Sequence, residues 1–194
     1  MVNRVTDVTF RPQSKAVEGR MSLTAQFIQG IDICESAIAE GLYSQAGALL
    51  KQEMETIEAI NEYETGARRD GKTPRLNLLN EFGRTYGDFN NFSHVSVEDI
   101  HKGIVNYEAG GISGPSVIPQ YQQDTAERFY GFQIFFIFLC ARQMIKILRD
   151  VYELNAEKEE LLLLLSAIKI IEDRGIIAPR KEPGCGTADC AVRL

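Results

Sequence analysis

The chain has few cysteines, no excess of basic residues and no apolar leader, and each absence excludes a class of protein. Four cysteines in 194 residues are too few for a disulfide framework. Lysine and arginine total 21 against 27 aspartate and glutamate residues, and a net charge of −6 argues against a broad nucleic-acid-binding face. Met1–Arg20 lacks an apolar run behind a basic start, so we expect no signal peptide. We therefore expect the protein in the reducing environment of the cytoplasm.

No apolar run is long enough to predict a membrane span. The most apolar window, Phe129–Ala141, is bounded by Arg128 and Arg142. A bilayer-spanning helix needs about 20 apolar residues, so this window predicts a buried core helix and no membrane partner. Its phenylalanines are expected to fill the core, and a haem or lipid pocket is the alternative.

Apolar periodicity predicts four long helices. Phe27, Ile31, Cys34 and Ile38 recur at intervals of four, three and four, which draws one apolar stripe down a helix that we expect to end at Gly41. The other stripes give a set of helices over about Gly19–Glu40, Ser44–Glu64, Thr125–Leu154 and Glu157–Arg174.

These elements predict an all-α fold, an up-down four-helix bundle with a short inserted helix and a small β-ribbon excursion within Gly103–Tyr121. We divide the chain into an amino-terminal arm (1–18), a bundle domain (19–175, with an insert over about 83–123) and a flexible carboxy-terminal tail (176–194).

Polar residues concentrate in Gly83–Lys102, GRTYGDFNNFSHVSVEDIHK, which we interpret as a connecting loop followed by a short helix from about Ser96 to Lys102. It contains both histidines, His94 and His101, and imidazole titrates near neutral pH. A histidine to move a proton and Arg84 to hold a phosphate would suit cleavage of RNA, whose 2′-OH attacks the adjacent phosphate. The alternative is a purely structural role, in which these side chains only cap helix ends. The candidate ligand-binding residues are Tyr86, Asp88, Asn90, Asn91 and His101.

Four charged residues lie off the apolar stripe of the second predicted helix: Lys51, Glu55, Glu58 and Glu62. Lys51 and Glu55 are four residues apart, which allows an ion pair on the helix surface. They are either a solvated rim pair or a partly buried pair near His94. In the second case both are candidate catalytic residues.

Metal binding is less well supported. The two histidines with a nearby carboxylate could ligate a metal, but no HxxxH or ExxH pattern accompanies them, so we expect no metal and no cofactor. Cys185 and Cys190 form C-x4-C in a glycine-rich tail without two further ligands nearby, so we expect a disordered tail there. Cys34 and Cys140 lie on apolar faces and are expected in the core.

Two segments resemble bacterial helical-bundle proteins of unknown function related to the HEPN group. GLYSQAGALLKQEMETIEAI and YGDFNNFSHVSVEDI are similar to the patterns G-x4-A-x2-L-[RK]-x3-E and Y-x2-[LF]-[SN]-x3-H of that group. The matching residues are Gly41, Ala46, Leu50, Lys51 and Glu55, then Tyr86, Phe89, Asn90 and His94. The resemblance spans about Leu23–Glu172 and implies a homodimer, because many HEPN proteins are similar to toxin or defence ribonucleases whose Arg-x4–6-His motif meets its copy across a dimer.

The chain departs from that ribonuclease motif. The positions four to six residues before His94 are Phe89, Asp88 and Gly87, with no arginine, and Lys51 or Arg84 would have to substitute. We therefore expect an accessory or defence-system protein of uncharacterised activity. The alternatives are a metal-independent ribonuclease or toxin that binds RNA or an antitoxin-like partner, and a small-ligand or regulatory bundle that uses the aromatic 129–136 interior.

Overall fold

The computed structural model describes residues 14–94 and 98–175, and within them the fold is all-α, as predicted. The side chains of 95–101, 106 and 109, and everything in 1–13 and 176–194, lie outside the described part. The helices are α1 Lys15–Ala39, α2 Tyr43–Thr65, α3 Gly83–Ser93, α4 Glu98–Val105, α5 Gln123–Tyr152 and α6 Lys158–Asp173, with a 3-10 turn at Asn80–Phe82. The predicted ribbon is confirmed: β1 Asn106–Ala109 pairs antiparallel with β2 Ile112–Pro115.

The first two helices form a hairpin whose turn follows from one glycine. Gly41 has a φ of 74°, the left-handed conformation that glycine adopts without cost, and it ends α1 as predicted. α1 begins at Lys15, earlier than predicted, because the Ser14 hydroxyl accepts a hydrogen bond from the Val17 N–H at 3.3 Å and caps the helix.

The core lies where α1, α2 and α5 pack together. Its centre consists of fully buried residues of all three helices: Cys34, Ile38, Leu50, Met54, Ile57 and Phe136. α5 is the one helix of the described ranges that is long and apolar enough to cross a membrane, and 61% of its apolar window is buried. It is thus the core helix that the Phe129–Ala141 window predicted, and the fold is compatible with a soluble protein. Cys140 is buried in it, as expected.

Two glutamates of α2 lie in the interior although they are off its apolar stripe. Glu58 and Glu62 are buried because the segment between α2 and α3 folds over them. The Glu58 carboxylate accepts hydrogen bonds from the N–H groups of Leu78 (3.2 Å) and Leu79 (2.6 Å). Glu62 accepts one from the N–H of Arg75 at 2.9 Å. These hydrogen bonds from backbone donors compensate for the hydration that the carboxylates lose on burial.

The polar tract corrects the sequence analysis: residues 83–93 form helix α3, not a loop. α3 runs antiparallel to α2, since Tyr86 meets Glu55 and Phe92 meets Gly47. A Cβ on Gly47 would lie 2.6 Å from the Cβ of Phe92, so the two helices approach closely there. α6 closes the described fold by packing on α5.

Candidate functional site

Three of the predicted site residues meet where α2 and α3 cross. The Tyr86 hydroxyl donates a 2.6 Å hydrogen bond to Oε1 of Glu55, and Lys51 Nζ lies 4.0 Å from the same oxygen. The ammonium is also 5.8 Å from the centroid of the Tyr86 ring. Burial, with the hydrogen bond and the charge of Glu55, raises the pKa of Tyr86 to about 12. The phenol therefore stays protonated at neutral pH and works as a hydrogen-bond donor.

His94 lies further along α3. It is the residue that ends the helix, it is exposed, and its N–H donates to the Asn90 carbonyl at 3.1 Å. At about 1.5 Å of rise per residue, the step of eight positions from Tyr86 to His94 corresponds to about 12 Å along the helix axis. The Lys51–Glu55–Tyr86 cluster and the backbone of His94 are thus at different levels of α3.

The remaining candidates are spread around α3. Arg84 is exposed, and Asn90 and Asn91 are half-buried. Asp88 turns towards α5, where one of its oxygens lies 3.5 Å from Nη2 of Arg128. The side chain of His101 is outside the described part.

A cleft of about 380 Å³ lies between α3 and the first half of α5. Its volume falls in the range of small-molecule sites, about 300 to 1,000 Å³. It is lined by Thr85, Asp88, Phe89, Phe92, Asp124, Thr125, Arg128, Phe129 and Phe132. Of these, sequence analysis singled out Asp88 as a ligand-binding residue and the 129–136 stretch as an aromatic interior.

Four phenylalanines form the apolar lining of the cleft. Phe89 meets Phe129 and Phe132 edge to face, with centroids 5.9 and 5.4 Å apart, and Phe92 meets Phe129 in the same way at 5.2 Å. Phe89 and Phe129 are buried, whereas Phe92 and Phe132 are half-buried. Mutual edge-to-face contacts hold each ring in place, so the lining is a preformed aromatic surface.

Charged side chains form the rim of the cleft. Besides its contact with Asp88, the Arg128 guanidinium lies 5.9 Å from the centroid of the Phe132 ring, within the distance of a cation–π contact. Asp124 stands four residues before Arg128, hence on the same side of α5, in the first turn of the helix. Among the residues that line the cleft, two carboxylates and one guanidinium give an excess of one negative charge.

A separate buried acid lies between α1 and α2. Glu53 is only 5% exposed, beside a small cavity of about 40 Å³, and neither carboxylate oxygen has a hydrogen-bonding partner of ordinary geometry among the described residues. Burial raises the pKa of Glu53 to about 8, and the neighbouring Cys34 thiol opposes that rise. Sequence analysis missed this residue, although its spacing from Leu50 and Ile57, three and four residues, places it on the apolar face.

Neither metal chemistry nor known relatives add to this description. Among the side chains that the structure describes, which do not include those of 95–101, no group of three or more histidine, cysteine, aspartate or glutamate residues is placed to hold a metal ion. Comparison with family models, curated proteins and solved structures gave no match to this chain. The HEPN resemblance therefore stays a prediction.

Proposed function

We propose that this protein is a regulatory or accessory bundle of the cytoplasm that binds a small ligand in the cleft between α3 and α5. The observation that carries the proposal is the preformed aromatic lining under a charged rim, because a few convergent polar groups over an apolar floor are what small-molecule sites share. An up-down, HEPN-like four-helix architecture is part of the proposal. The length of α1, α2, α5 and α6 and the α1–α2 hairpin support it.

The Lys51–Glu55–Tyr86 cluster gives less support to catalysis. A general acid or base must hold or release a proton near the working pH and reach the reacting group. The phenol of Tyr86 has its pKa raised to about 12, and Glu55 is occupied by that phenol. The cluster is better explained as a tie between α2 and α3 that holds one wall of the cleft.

A thermal-shift screen of amines, nucleotides, lipids and metal ions tests the ligand-binding proposal. A ligand at 100 times its Kd should stabilise the fold by about 2.7 kcal/mol, a rise in Tm of about 5 to 10 °C for a chain of this size. Phe132→Ala, which removes a lining ring, should abolish the rise. Ile134→Ala, at an exposed site on the same helix, should keep it. If no compound shifts the wild type more than Phe132→Ala, the cleft is not a ligand site.

Ribonuclease activity through His94, with RNA or an antitoxin-like chain as partner, stays a prediction that a direct assay decides. Purified wild type and His94→Ala should be incubated with total RNA in the presence of a chelator. Cleavage by the wild type and not by the variant would establish a metal-independent ribonuclease. Intact RNA in both samples would refute the ribonuclease activity.

We also propose a homodimer that uses α6. This helix leaves four aliphatic side chains between 49% and 71% exposed: Leu162, Leu163, Leu165 and Ile170. Exposed apolar residues at this density favour association, and a two-fold dimer is the commonest arrangement. Light scattering should give a dimer mass for the wild type and a monomer mass for Leu163→Glu. The control Ile33→Glu, at an exposed apolar site on α1, should stay dimeric. A monomeric wild type would refute this arrangement.

A further inference from the structure

The charge balance of the cleft specifies its ligand. We infer that the cleft binds a small organic cation, an amine or quaternary ammonium attached to a compact aromatic or branched apolar body. This inference rests on the proposed ligand-binding function and adds the chemical class. Its basis is the combination of Asp88 and Asp124 on the rim with the phenylalanine lining below them.

The cleft already makes the contacts that such a cation would need. Arg128 places one cationic group 3.5 Å from a carboxylate oxygen of Asp88 and 5.9 Å from the centroid of the Phe132 ring. A carboxylate and an aromatic face at those distances are the two attractive surfaces for an organic cation. The Arg128 side chain is 64% exposed, so it can move outward and leave both surfaces to a ligand.

A second carboxylate supplies the charge that Arg128 leaves unmatched. Asp124 is exposed and lies on the cleft side of α5. With Asp88 paired to Arg128, Asp124 carries the excess negative charge among the lining residues. A bound cation would neutralise it while its apolar body covers the half-buried rings of Phe92 and Phe132.

Other ligand classes fit less well. An anion would meet two carboxylates and one guanidinium that is already paired. A metal ion would find two carboxylates and two threonine hydroxyls, and no third histidine, cysteine or acidic side chain lies among the residues that line the cleft. A neutral aromatic compound would match the lining but leave the charge of Asp124 unmatched.

Three benzyl compounds separate these classes at nearly constant shape: benzyltrimethylammonium, benzyl alcohol and benzoate. Each is titrated into ¹⁵N-labelled full-length protein, and shifts of the α3 and α5 amide signals give the Kd. We expect benzyltrimethylammonium to bind at least tenfold more tightly than benzyl alcohol, and benzoate more weakly than either. Asp124→Asn should weaken the cation at least fivefold. Asp173→Asn, the same charge change on an exposed part of α6, should alter its Kd less than twofold.

The outcomes separate the ligand class from the site itself. Benzyl alcohol or benzoate binding as tightly as the cation would overturn the cation inference and leave the cleft as a ligand site. Equal effects of Asp124→Asn and Asp173→Asn would overturn it as well, because attraction would then come from net charge alone. If none of the three compounds binds but the thermal-shift screen finds a ligand that Phe132→Ala abolishes, the class is wrong and the function stands. If the thermal-shift screen also finds no ligand, the cation inference and the ligand-binding function are both refuted.

Discussion

Replacing one buried carboxyl should change how the stability of this protein depends on pH. Glu53 has its pKa raised from an ordinary 4.5 to about 8, because its side chain is desolvated between α1 and α2. The folded chain therefore holds a proton that the unfolded chain releases above pH 4.5. Its contribution is fully present below pH 4.5 and is lost as the pH rises towards 8. Glu53→Gln removes this titration and keeps the size of the side chain.

The magnitude follows from the two pKa values. One pH unit of difference corresponds to about 1.4 kcal/mol, so the whole span between 4.5 and about 8 is worth about 5 kcal/mol. The unfolded carboxyl is mostly ionised at pH 5 and the folded one mostly protonated at pH 7. Of the total, about 2 to 3 kcal/mol should thus be lost between pH 5 and pH 7.

Urea unfolding followed by circular dichroism at pH 5, 6, 7 and 8, under reducing conditions, measures this effect. A buried amide also needs hydrogen-bonding partners, so Glu53→Gln changes stability at every pH, and the readout is the slope of stability with pH. Titrations elsewhere in the chain are shared by both proteins and cancel in the difference. Between pH 5 and pH 7 the wild type should lose about 2 to 3 kcal/mol relative to the variant.

A matched control is Glu35→Gln on α1, where the carboxylate is exposed and should leave the wild-type slope unchanged. Parallel curves for the wild type and Glu53→Gln would refute the reasoning. They would mean that the Glu53 carboxyl titrates alike in the folded and unfolded chains, so that water reaches it in the native state.

Three further substitutions test how α2 is held to its neighbours, each by urea unfolding. Gly47→Ala should lower the free energy of unfolding by about 1 to 3 kcal/mol, because its methyl group would overlap Phe92. The control Gly30→Ala has no atom within 4 Å of the new Cβ and should raise that free energy by up to about 1 kcal/mol. Shifts of the same sign would contradict the close approach of α2 and α3. Tyr86→Phe should cost about 1 kcal/mol through loss of its 2.6 Å hydrogen bond, and an unchanged stability would show that bond to be dispensable. Glu58→Gln should cost about 1 to 3 kcal/mol and speed proteolysis between α2 and α3, because the amide keeps one acceptor oxygen and turns an NH2 donor towards the second backbone N–H. Equal cleavage rates would argue against that anchoring.

The long helices could be predicted because their signals are local. An apolar residue every three or four positions marks a buried face whatever lies opposite, and Gly41 and Gly66 end α1 and α2 in the left-handed conformation that glycine favours. The ribbon was likewise predictable from its β-branched residues and paired glycines. These features need no knowledge of which helix packs on which.

The helix α3 was missed because its polar residues favour caps and turns when taken alone. Asn90, Asn91 and Ser93 are residues of that kind, yet packing of the apolar face decides whether the segment forms a helix. Phe89 is buried, and Phe82, Tyr86, Phe89 and Phe92 recur at intervals of four, three and three, a helical stripe that the sequence already contained. Counting apolar spacing through the polar tract would have predicted the helix.

The cleft could not be predicted, since it depends on a pairing that no local pattern encodes. Asp88 and Arg128 are 40 positions apart, and only the packing of α3 beside α5 brings them to 3.5 Å. The same holds for Glu58, which looks solvated until the segment after α2 supplies backbone donors to its carboxylate. Charged residues acquire their roles from tertiary neighbours.

The helical form of the tract also decides which of its residues can share a site. In an α-helix, residues two apart point about 200° away from each other, so Tyr86 and Asp88 face opposite sides of α3. Tyr86 faces α2, where Glu55 occupies its hydroxyl, and Asp88 faces α5 and the cleft. A loop could have turned both side chains to one substrate, but a helix cannot. Tyr86 and Asp88, first grouped in one candidate site, therefore belong to a structural tie on one face of α3 and to the wall of the cleft on the other.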